Sequence, residues 1–409
     1  PVRPEVLEFL NQQKESGRRI ILATGSDEAV AQAVADRVGL FDGVIASDGT
    51  HNLSGRNKLD AIKRDSGQRP FDYIGNSMTD LHVWREARGR VVAGGSSRVA
   101  NRARREYGTV NVLDPQISRG RALLKAIRPH QWAKNLLVAV PLFVSHKFLE
   151  VDAVVATFVA IVAFSLTASA VYVLNDLLDL PSDRAHPLKR RRPFAAGHVP
   201  IPNGLLLSGA LFVLGMGVAL SLSLNFAAML LLYVVATTAY SLVLKRKLIL
   251  DVFVLAGLYT LRILAGAVAI HVVASPWLLA FSMFIFISLA FVKRYAELHT
   301  FRKNDVTAAP GRRYTVQDME LFRVFGPTSG YVAVLVMCLY ISSPDVTKLY
   351  KHPEALWLMC PILLFWITRL WFLIDRIEAM DDPVLFALRD KMSYVTGVLV
   401  VLVVLLATI

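Results

Sequence analysis

The sequence predicts an all-α polytopic membrane bundle of about nine transmembrane helices, preceded by a soluble α/β domain. Three observations carry that prediction. The 409 residues are 54% hydrophobic yet carry a formal net charge of +13, a pairing expected of a membrane protein with basic loops. Apolar stretches recur from residue 136 to the end, several near the ~20 residues that a helix needs to cross a bilayer. Residues 1–110 hold no such stretch and alternate short β-branched runs with helical patterns, which implies a parallel sheet.

Taken in order, Arg19 to Thr24 reads as a buried strand ending in a turn, Glu28 to Val38 as a helix, and Val44-Ile-Ala as a second strand. Phe71 to Ile74 reads as a third strand, followed by the polar loop Gly75 to Asp80. Functional loops of such a sheet lie at the strand C-termini. Residues 111–127 read as a linker and approach helix carrying Arg119, Arg121 and Lys125, and residues 128–409 as the membrane domain. The two cysteines, Cys338 and Cys360, exclude a disulfide framework and a thiolate metal site. The chain begins at Pro1 with no charged-then-apolar leader, so no signal peptide is expected. Positive charge fits anionic headgroups and phosphorylated substrates; nucleic acid is excluded as a partner because the basic residues flank membrane spans.

Within the first domain, Thr24, Lys58 and the run Gly75 to Asp80 resemble the second, third and fourth motifs of haloacid dehalogenase (HAD) superfamily phosphatases. The resemblance implies a Rossmann-like fold in which Thr24 supplies a hydroxyl, Lys58 a cation and Asp80 a metal-binding carboxylate. Two departures bear on activity: residues 1–23 contain no Asp-x-Asp pair, and Asn76 stands where the fourth motif has an Asp. Without the carboxylate nucleophile no aspartyl-phosphate forms, so the segment is expected to be either truncated or a vestigial or structural module.

At the membrane entrance, Arg128-Pro-His-Gln-Trp132-Ala-Lys134-Asn135 crowds cationic and amide groups beside an interfacial Trp. It can be an anchor, or a phosphate site built from side-chain charge and a helix start. Apolar spans are expected at 136–149, 153–174, 204–223, 226–244, 250–271, 276–292, 327–343, 355–375 and 393–409. Lys and Arg concentrate in alternate loops, at Arg184 to Arg192, Lys245 to Lys247, Lys293 to Arg323 and Arg376 to Lys391. The opposite loops carry little beyond Lys147, Lys348 and Lys351. The positive-inside rule then puts the soluble domain and the loops after the second and sixth spans in the cytoplasm.

The loop after the second span is the focus of the chain. Asn175, Asp176, Asp179 and Asp183 precede Arg184 to Arg192, and separations of three and four put the three carboxylates on one face of a helix end. Like charges so placed need a cation, and hard oxygens with open positions suit Mg²⁺ shared with substrate phosphates. The competing account is a solvated helix C-terminus followed by topology charges, which for Lys189 to Arg192 alone is the better one. Ionisable groups at membrane depth are costly and usually functional. A second cluster, Lys293-Arg294-Tyr295-Ala-Glu297-Leu-His299, ends the sixth span, with Lys293 and Glu297 at ion-pair spacing. In the fifth span Asp251, Tyr259 and Arg262 share a face, with Arg262 expected to meet an aqueous cavity or an anion and Asp251 able to offset Lys245 to Lys247.

These motifs resemble the UbiA superfamily of intramembrane prenyltransferases. Asn175, Asp176, Asp179 and Asp183 match its first Asp-rich motif, which implies a nine-helix bundle with a Mg²⁺-dependent cytoplasmic cavity. Most members carry a second Asp-x-x-x-Asp motif after the sixth span, where this chain has Lys293, Arg294 and Glu297. Arg128 to Asn135, Ser169 to Tyr172, His186 to Pro193 and Lys293 to His299 are similar to a branch that transfers phosphoribosyl groups to polyprenyl phosphates. That resemblance implies phosphoribosyl diphosphate (PRPP) as donor, a polyprenyl phosphate as acceptor, Mg²⁺ on Asp176, Asp179 and Asp183, and the cytoplasmic side of a bacterial inner membrane as location. Lys189, Arg190, Arg192, Lys293 and Arg294 are then candidates for donor phosphates, and Lys134 with Arg128 or Arg262 for the lipid phosphate. Asn135, Tyr259 and Glu297 complete the candidate substrate site. The HAD-like domain would be, or descend from, the phosphatase that removes the ribose 5-phosphate. The rival is a prenyltransferase moving a prenyl group to a small acceptor, which shares the Mg²⁺ site. A transporter binding cations at the Asp cluster is a third reading, without the internal repeat expected of one. A homo-oligomer is left open.

Overall fold

Alternation of β-branched runs with helix-forming segments builds the N-terminal region. The computed structural model describes residues 3–49, 52–94, 97–113, 119–185, 189–303, 313–374, 386–387 and 390–408. Helix α1 (Pro4–Glu15) starts on Pro, which suits a first turn, and leads into strand β1 (Ile21–Asp27). Asp27 caps α2 (Glu28–Val38) by accepting the Ala29 N–H at 2.9 Å, and Gly39, at φ 69°, ends it. There follow β2 (Gly43–Ser47), α3 (Arg56–Asp65), β3 (Tyr73–Gly75), α4 (Leu81–Glu86), β4 (Arg90–Ala93), α5 (Ser97–Tyr107), β5 (Asn111–Leu113) and the approach helix α6 (Arg119–Ala126). Strands β1 and β2 pair in parallel, as do β3, β4 and β5 in that order, so helices carry the crossovers. Val83, Trp84, Val92 and Ala103 form a fully buried core under β3 and β4, with the Trp84 indole donating to the Tyr73 carbonyl at 3.2 Å. The expected helix 28–38 and all three expected strands are present.

The chain divides into two compact units, one formed by residues 1–126 with 176–201 and the other by 127–175 with 202–409. The segment carrying the Asp motif thus groups with the N-terminal residues.

In the second unit, a 3-10 segment Pro129–Ala139 and short helix α7 (Val140–Val144) precede α8 (Val151–Leu178). After α9 (Leu180–Ala185) come α10 (Ile201–Leu222), α11 (Leu224–Leu242), α12 (Leu250–Ala269), α13 (Pro276–Lys303) and α14 (Met319–Ile341). Short α15 (Pro344–Leu349), α16 (Met359–Leu373) and α17 (Lys391–Thr408) complete it. Eight of the described helices are long and apolar enough to cross a membrane. The span expected at 136–149 is a broken segment instead: it starts as 3-10 turns, Pro141 opens short α7, and its roughly 14 residues fall short of the ~20 a crossing needs. The sixth span runs on through Lys303, so Lys293 to His299 are helical.

Close helix contacts rest on glycine, as expected where packing without a hydrophobic drive joins helices. A β-carbon on Gly326 would lie 1.9 Å from the Trp371 ring, and one on Gly330 would lie 2.6 Å from Ile367, so this Gly-x-x-x-Gly face seats α14 on α16. Gly266 of α12 takes the Val138 carbonyl against its bare Cα, where a β-carbon would meet that oxygen at 2.0 Å.

Candidate active site

The Asp motif begins inside α8 and ends in α9. Asp176 (3% exposed) sits in the last turn of α8, Asp179 is half-buried in the turn after it, and Asp183 (2% exposed) lies in α9. Separations of three and four residues share a face only on a continuous helix. Here α8 stops at Leu178 and α9 restarts with Pro181 in its first turn, the Asp183 N–H meeting the Asp179 carbonyl at 2.9 Å. Among the described residues no set of three or more His, Cys, Asp or Glu side chains gathers as a metal site. Two carboxylates do converge: Arg192 Nη1 lies 3.1 Å from Asp176 Oδ1 and 2.7 Å from Asp183 Oδ2. Hard oxygens that meet around one cationic nitrogen are a donor set that fits a divalent cation such as Mg²⁺. Asn175 is half-buried in α8, while Lys189 and Arg190 are exposed on a 3-10 turn. His186 of the basic motif lies outside the described residues, as does Arg376 of a later loop.

A second polar centre lies in the membrane unit around Arg262, which is 4% exposed on α12. Its Nε donates to Asn135 Oδ1 at 3.2 Å, Nη1 to the Leu258 carbonyl at 2.7 Å and Nη2 to the Tyr233 hydroxyl at 3.1 Å. Phe164, Tyr233 and Tyr259 surround the guanidinium with their rings within 5.6 Å of its carbon. Asn135 is held in turn by donating to Ser165 Oγ at 3.0 Å. Lys134, 8% exposed, lies 6.0 Å from the Tyr259 ring centroid, and Arg128, at φ 52°, lies 5.7 Å from that of Tyr172. The Trp132 indole donates to Ser169 Oγ at 2.9 Å, and that hydroxyl donates to the Ile127 carbonyl at 2.8 Å. Trp132 therefore ties the entrance segment to α8 as well as being suited to an interface. The structure places Asn135 and Tyr259 against Arg262, and Lys134 beside Tyr259.

The third centre departs from expectation. Arg294 is 1% exposed; its Nε meets Asp251 Oδ2 at 2.7 Å, Nη1 meets Glu297 Oε2 at 2.8 Å, and Nη2 meets the Tyr240 hydroxyl at 2.7 Å. Glu297 thus pairs at i,i+3 with Arg294 rather than only along the Lys293 face, and Asp251 is a buried counter-ion of Arg294 rather than a loop charge. The Tyr314 hydroxyl also donates to Asp251 and accepts the Ile249 N–H at 2.8 Å. Burial, then the hydrogen bond to Asp251 and its charge, push the Tyr314 phenol well above its ordinary range. Lys293, one residue earlier, is only half-buried.

In the N-terminal domain, Asp80 (4% exposed) accepts the Tyr73 hydroxyl, the Asn76 and Ser77 N–H groups and the Ser77 hydroxyl, all at 2.9 Å. Lys58 Nζ stands 3.3 Å from it. Burial opposes its ionisation most strongly, yet the Ser77 and Asn76 N–H groups, Lys58 and the Ser77 hydroxyl outweigh that and hold the carboxyl below the usual range. Thr24 accepts the Ser26 N–H at 3.1 Å within β1, where the register against β2 shifts between Ala23 and Asp27. Lys58 and Asp80, matched to separate motifs in the sequence, form an ion pair.

Tyr233, Tyr240, Tyr314 and Ser165 were not singled out by the sequence. Tyr233 and Tyr240 did carry a signal, a hydroxyl inside an apolar run that must find a partner. Ser165 and Ser169, four apart in α8, are the polar contacts that membrane helices use against one another. Tyr314 follows a charged loop and had no local signal.

Residues 136–406 match the UbiA prenyltransferase family, and residues 1–85 match the haloacid dehalogenase-like hydrolases. The chain is 37% identical over 402 residues to the uncharacterized protein y4nM of Sinorhizobium fredii, covering 98% of this chain and 78% of that one. It is 40% identical over 280 residues to the decaprenyl-phosphate phosphoribosyltransferase of Mycolicibacterium smegmatis, covering 66% of this chain and 86% of that one. A UbiA homologue from Archaeoglobus fulgidus, solved bound to GPP and Mg²⁺, superposes with a TM-score of 0.52 at 15% identity over 69% of this chain and 99% of that one. With the family match running over residues 136–406, the chain belongs to the UbiA prenyltransferase family and carries a haloacid dehalogenase-like segment at its N-terminus.

Proposed function

We propose that the protein transfers a 5-phosphoribosyl group from PRPP to a polyprenyl phosphate, giving polyprenyl-phosphoryl-5-phosphoribose and diphosphate. The observation that carries this reading is the half-buried Lys293 standing where a second acidic pair would be, while Arg294 beside it is neutralised by Asp251 and Glu297 and serves packing. One acidic motif remains to hold metal, while the count of cations rises. PRPP and a lipid phosphate together bring more phosphate than a single prenyl diphosphate does, and a more cationic protein answers that demand. Identity of 40% to a relative named for this activity supports the reading.

When bound, Mg²⁺ would neutralise charge developing on the leaving diphosphate, held by Asp176 and Asp183 with Asp179. Lys189, Arg190, Arg192 and Lys293 bind donor phosphates in this account. Lys134, with Arg128 or Arg262, draws the lipid phosphate, and Asn135 and Tyr233 orient the Arg262 guanidinium. The lipid phosphate attacks the anomeric carbon as the bond to diphosphate breaks, inverting that centre. The nucleophile is already anionic, so the protein needs no strong base. Arg294 supports this machinery from behind, fixing α13 to α12. The site and the HAD-like domain face the cytoplasm of a bacterial inner membrane in this reading, following the loop charges. The HAD-like domain is, or descends from, the phosphatase acting on the product's 5-phosphate in this reading.

The test is diphosphate release by purified protein given PRPP. Release that requires both Mg²⁺ and polyprenyl phosphate, and that Asp176→Asn abolishes, is expected. Release from a prenyl diphosphate with a small acceptor, and none from PRPP, overturns the proposal.

A further inference from the structure

Asp176 and Asp183 are nearly inaccessible, and two carboxylates so placed repel unless a cation lies between them. Arg192 is that cation, and it uses a single nitrogen for both contacts. A hard divalent ion would draw oxygens to roughly 2.0–2.1 Å from its own centre. A divalent cation held by these carboxylates would compete with the guanidinium for the same oxygens, so the two would exclude each other. The Arg192 side chain is 28% exposed, unlike the carboxylates, and its backbone N–H is fixed to the Lys189 carbonyl at 2.9 Å. It can therefore leave the carboxylates while its backbone stays anchored in a turn that already presents Lys189 and Arg190 to solvent.

Resting on the metal assignment above, we infer that Arg192 is an exchangeable counter-ion. It holds the two carboxylates together before a divalent cation arrives, is displaced by that cation, and is thereby released to the donor's diphosphate. Two consequences separate this from a fixed structural salt bridge. Arg192 competes with the metal, so its removal tightens metal binding. Displacement also makes an arginine available, so metal and diphosphate promote each other's binding, by a factor on the order of 5–150 as is usual for coupled sites. That coupling falls when Arg192 is absent. A structural bridge predicts the reverse for metal: without it the carboxylates separate and affinity drops.

The experiment titrates Mn²⁺ into the full chain in detergent, following free Mn²⁺ by electron paramagnetic resonance, with and without methylene diphosphate. Native protein, Arg192→Gln, Arg192→Lys and Asp176→Asn are compared. The expected result is roughly tenfold tighter Mn²⁺ binding by Arg192→Gln with the diphosphate coupling reduced to what the metal's own contact with the diphosphate supplies. Arg192→Lys, whose shorter side chain reaches the pair less well, lies between, and serves alone if Arg192→Gln does not fold. Unchanged or weaker Mn²⁺ binding by both Arg192 variants, with native binding that Asp176→Asn removes, overturns the exchange and leaves the metal assignment standing. No Mn²⁺ binding by native protein overturns both.

Discussion

Removing the Asp251 carboxylate should destabilise the membrane unit, and removing its partner as well should restore much of the loss. Asp251 and Arg294 are 0% and 1% exposed and meet at 2.7 Å between α12 and α13. Truncating one member of a buried pair leaves an uncompensated charge, which costs about 3–5 kcal/mol. Glu297 still offsets Arg294 at 2.8 Å, though 31% exposed, so Asp251→Ala belongs at the lower end, about 3 kcal/mol. Replacing both charges removes that penalty, and apolar replacement of buried pairs is often neutral. Asp251→Ala/Arg294→Met should therefore recover at least half of the loss. The hydroxyls of Tyr240 and Tyr314 lose partners in the double variant, which keeps recovery short of complete. Stability is read from reversible denaturation in mixed micelles as a double-mutant cycle. A double variant as unstable as the sum of the single ones would refute the idea that charge compensation dominates this centre. The same variants separate stability from chemistry: if Arg294 only supports the fold, the double variant keeps its affinity for PRPP.

Three further outcomes follow from other parts of the molecule. Asn135→Ala removes a hydrogen bond to a buried cation, worth about 1.5 kcal/mol, and should raise KM for polyprenyl phosphate roughly tenfold with little change for PRPP; equal effects on both substrates would show that Arg262 does not serve the lipid. Gly266→Ala puts a methyl group 2.0 Å from the Val138 carbonyl oxygen, and since backbone cannot rotate away, a loss of about 1–3 kcal/mol or more is expected in the same denaturation assay. Asp80 has a folded-state pKa held below its ordinary 3.8, so its contribution is fully present above that value and is lost as pH falls through the lower folded one. Fluorotryptophan-labelled full chain, read at buried Trp84, should lose its native resonance at acid pH in the wild type, while Asp80→Asn should be less stable near neutrality and show a flatter pH dependence below pH 3.8.

The elements of the N-terminal domain were legible because each has a local cause. Asp27 and Gly39 bracket α2, and β-branched residues mark β1 and β2. The spans were legible through apolar length alone, apart from 136–149, where short length and Pro141 count for more than mean hydropathy. Arg262 was conspicuous as a charge among Leu and Ala, and Asn135 fell in a crowded polar run, so their meeting could be guessed. The partners of Arg294 could not be, because Asp251 and Tyr314 lie 43 and 63 residues apart from Arg294 and Asp251 respectively, and packing alone joins them. The Asp motif was read one step too simply: spacing fixes a common face only while the helix continues, and Pro181 begins another. What then gathers Asp176 and Asp183 is Arg192, which sequence could only group with the other loop cations.

The central claim concerns which group moves. It is tested most directly with PRPP labelled by carbon-14 in the ribose and phosphorus-32 in the 5-phosphate, incubated with purified protein, polyprenyl phosphate and Mg²⁺. The account predicts both labels in the lipid fraction at the ratio of the donor, dependent on Mg²⁺. An unlabelled lipid fraction from protein that turns over a prenyl diphosphate would contradict it.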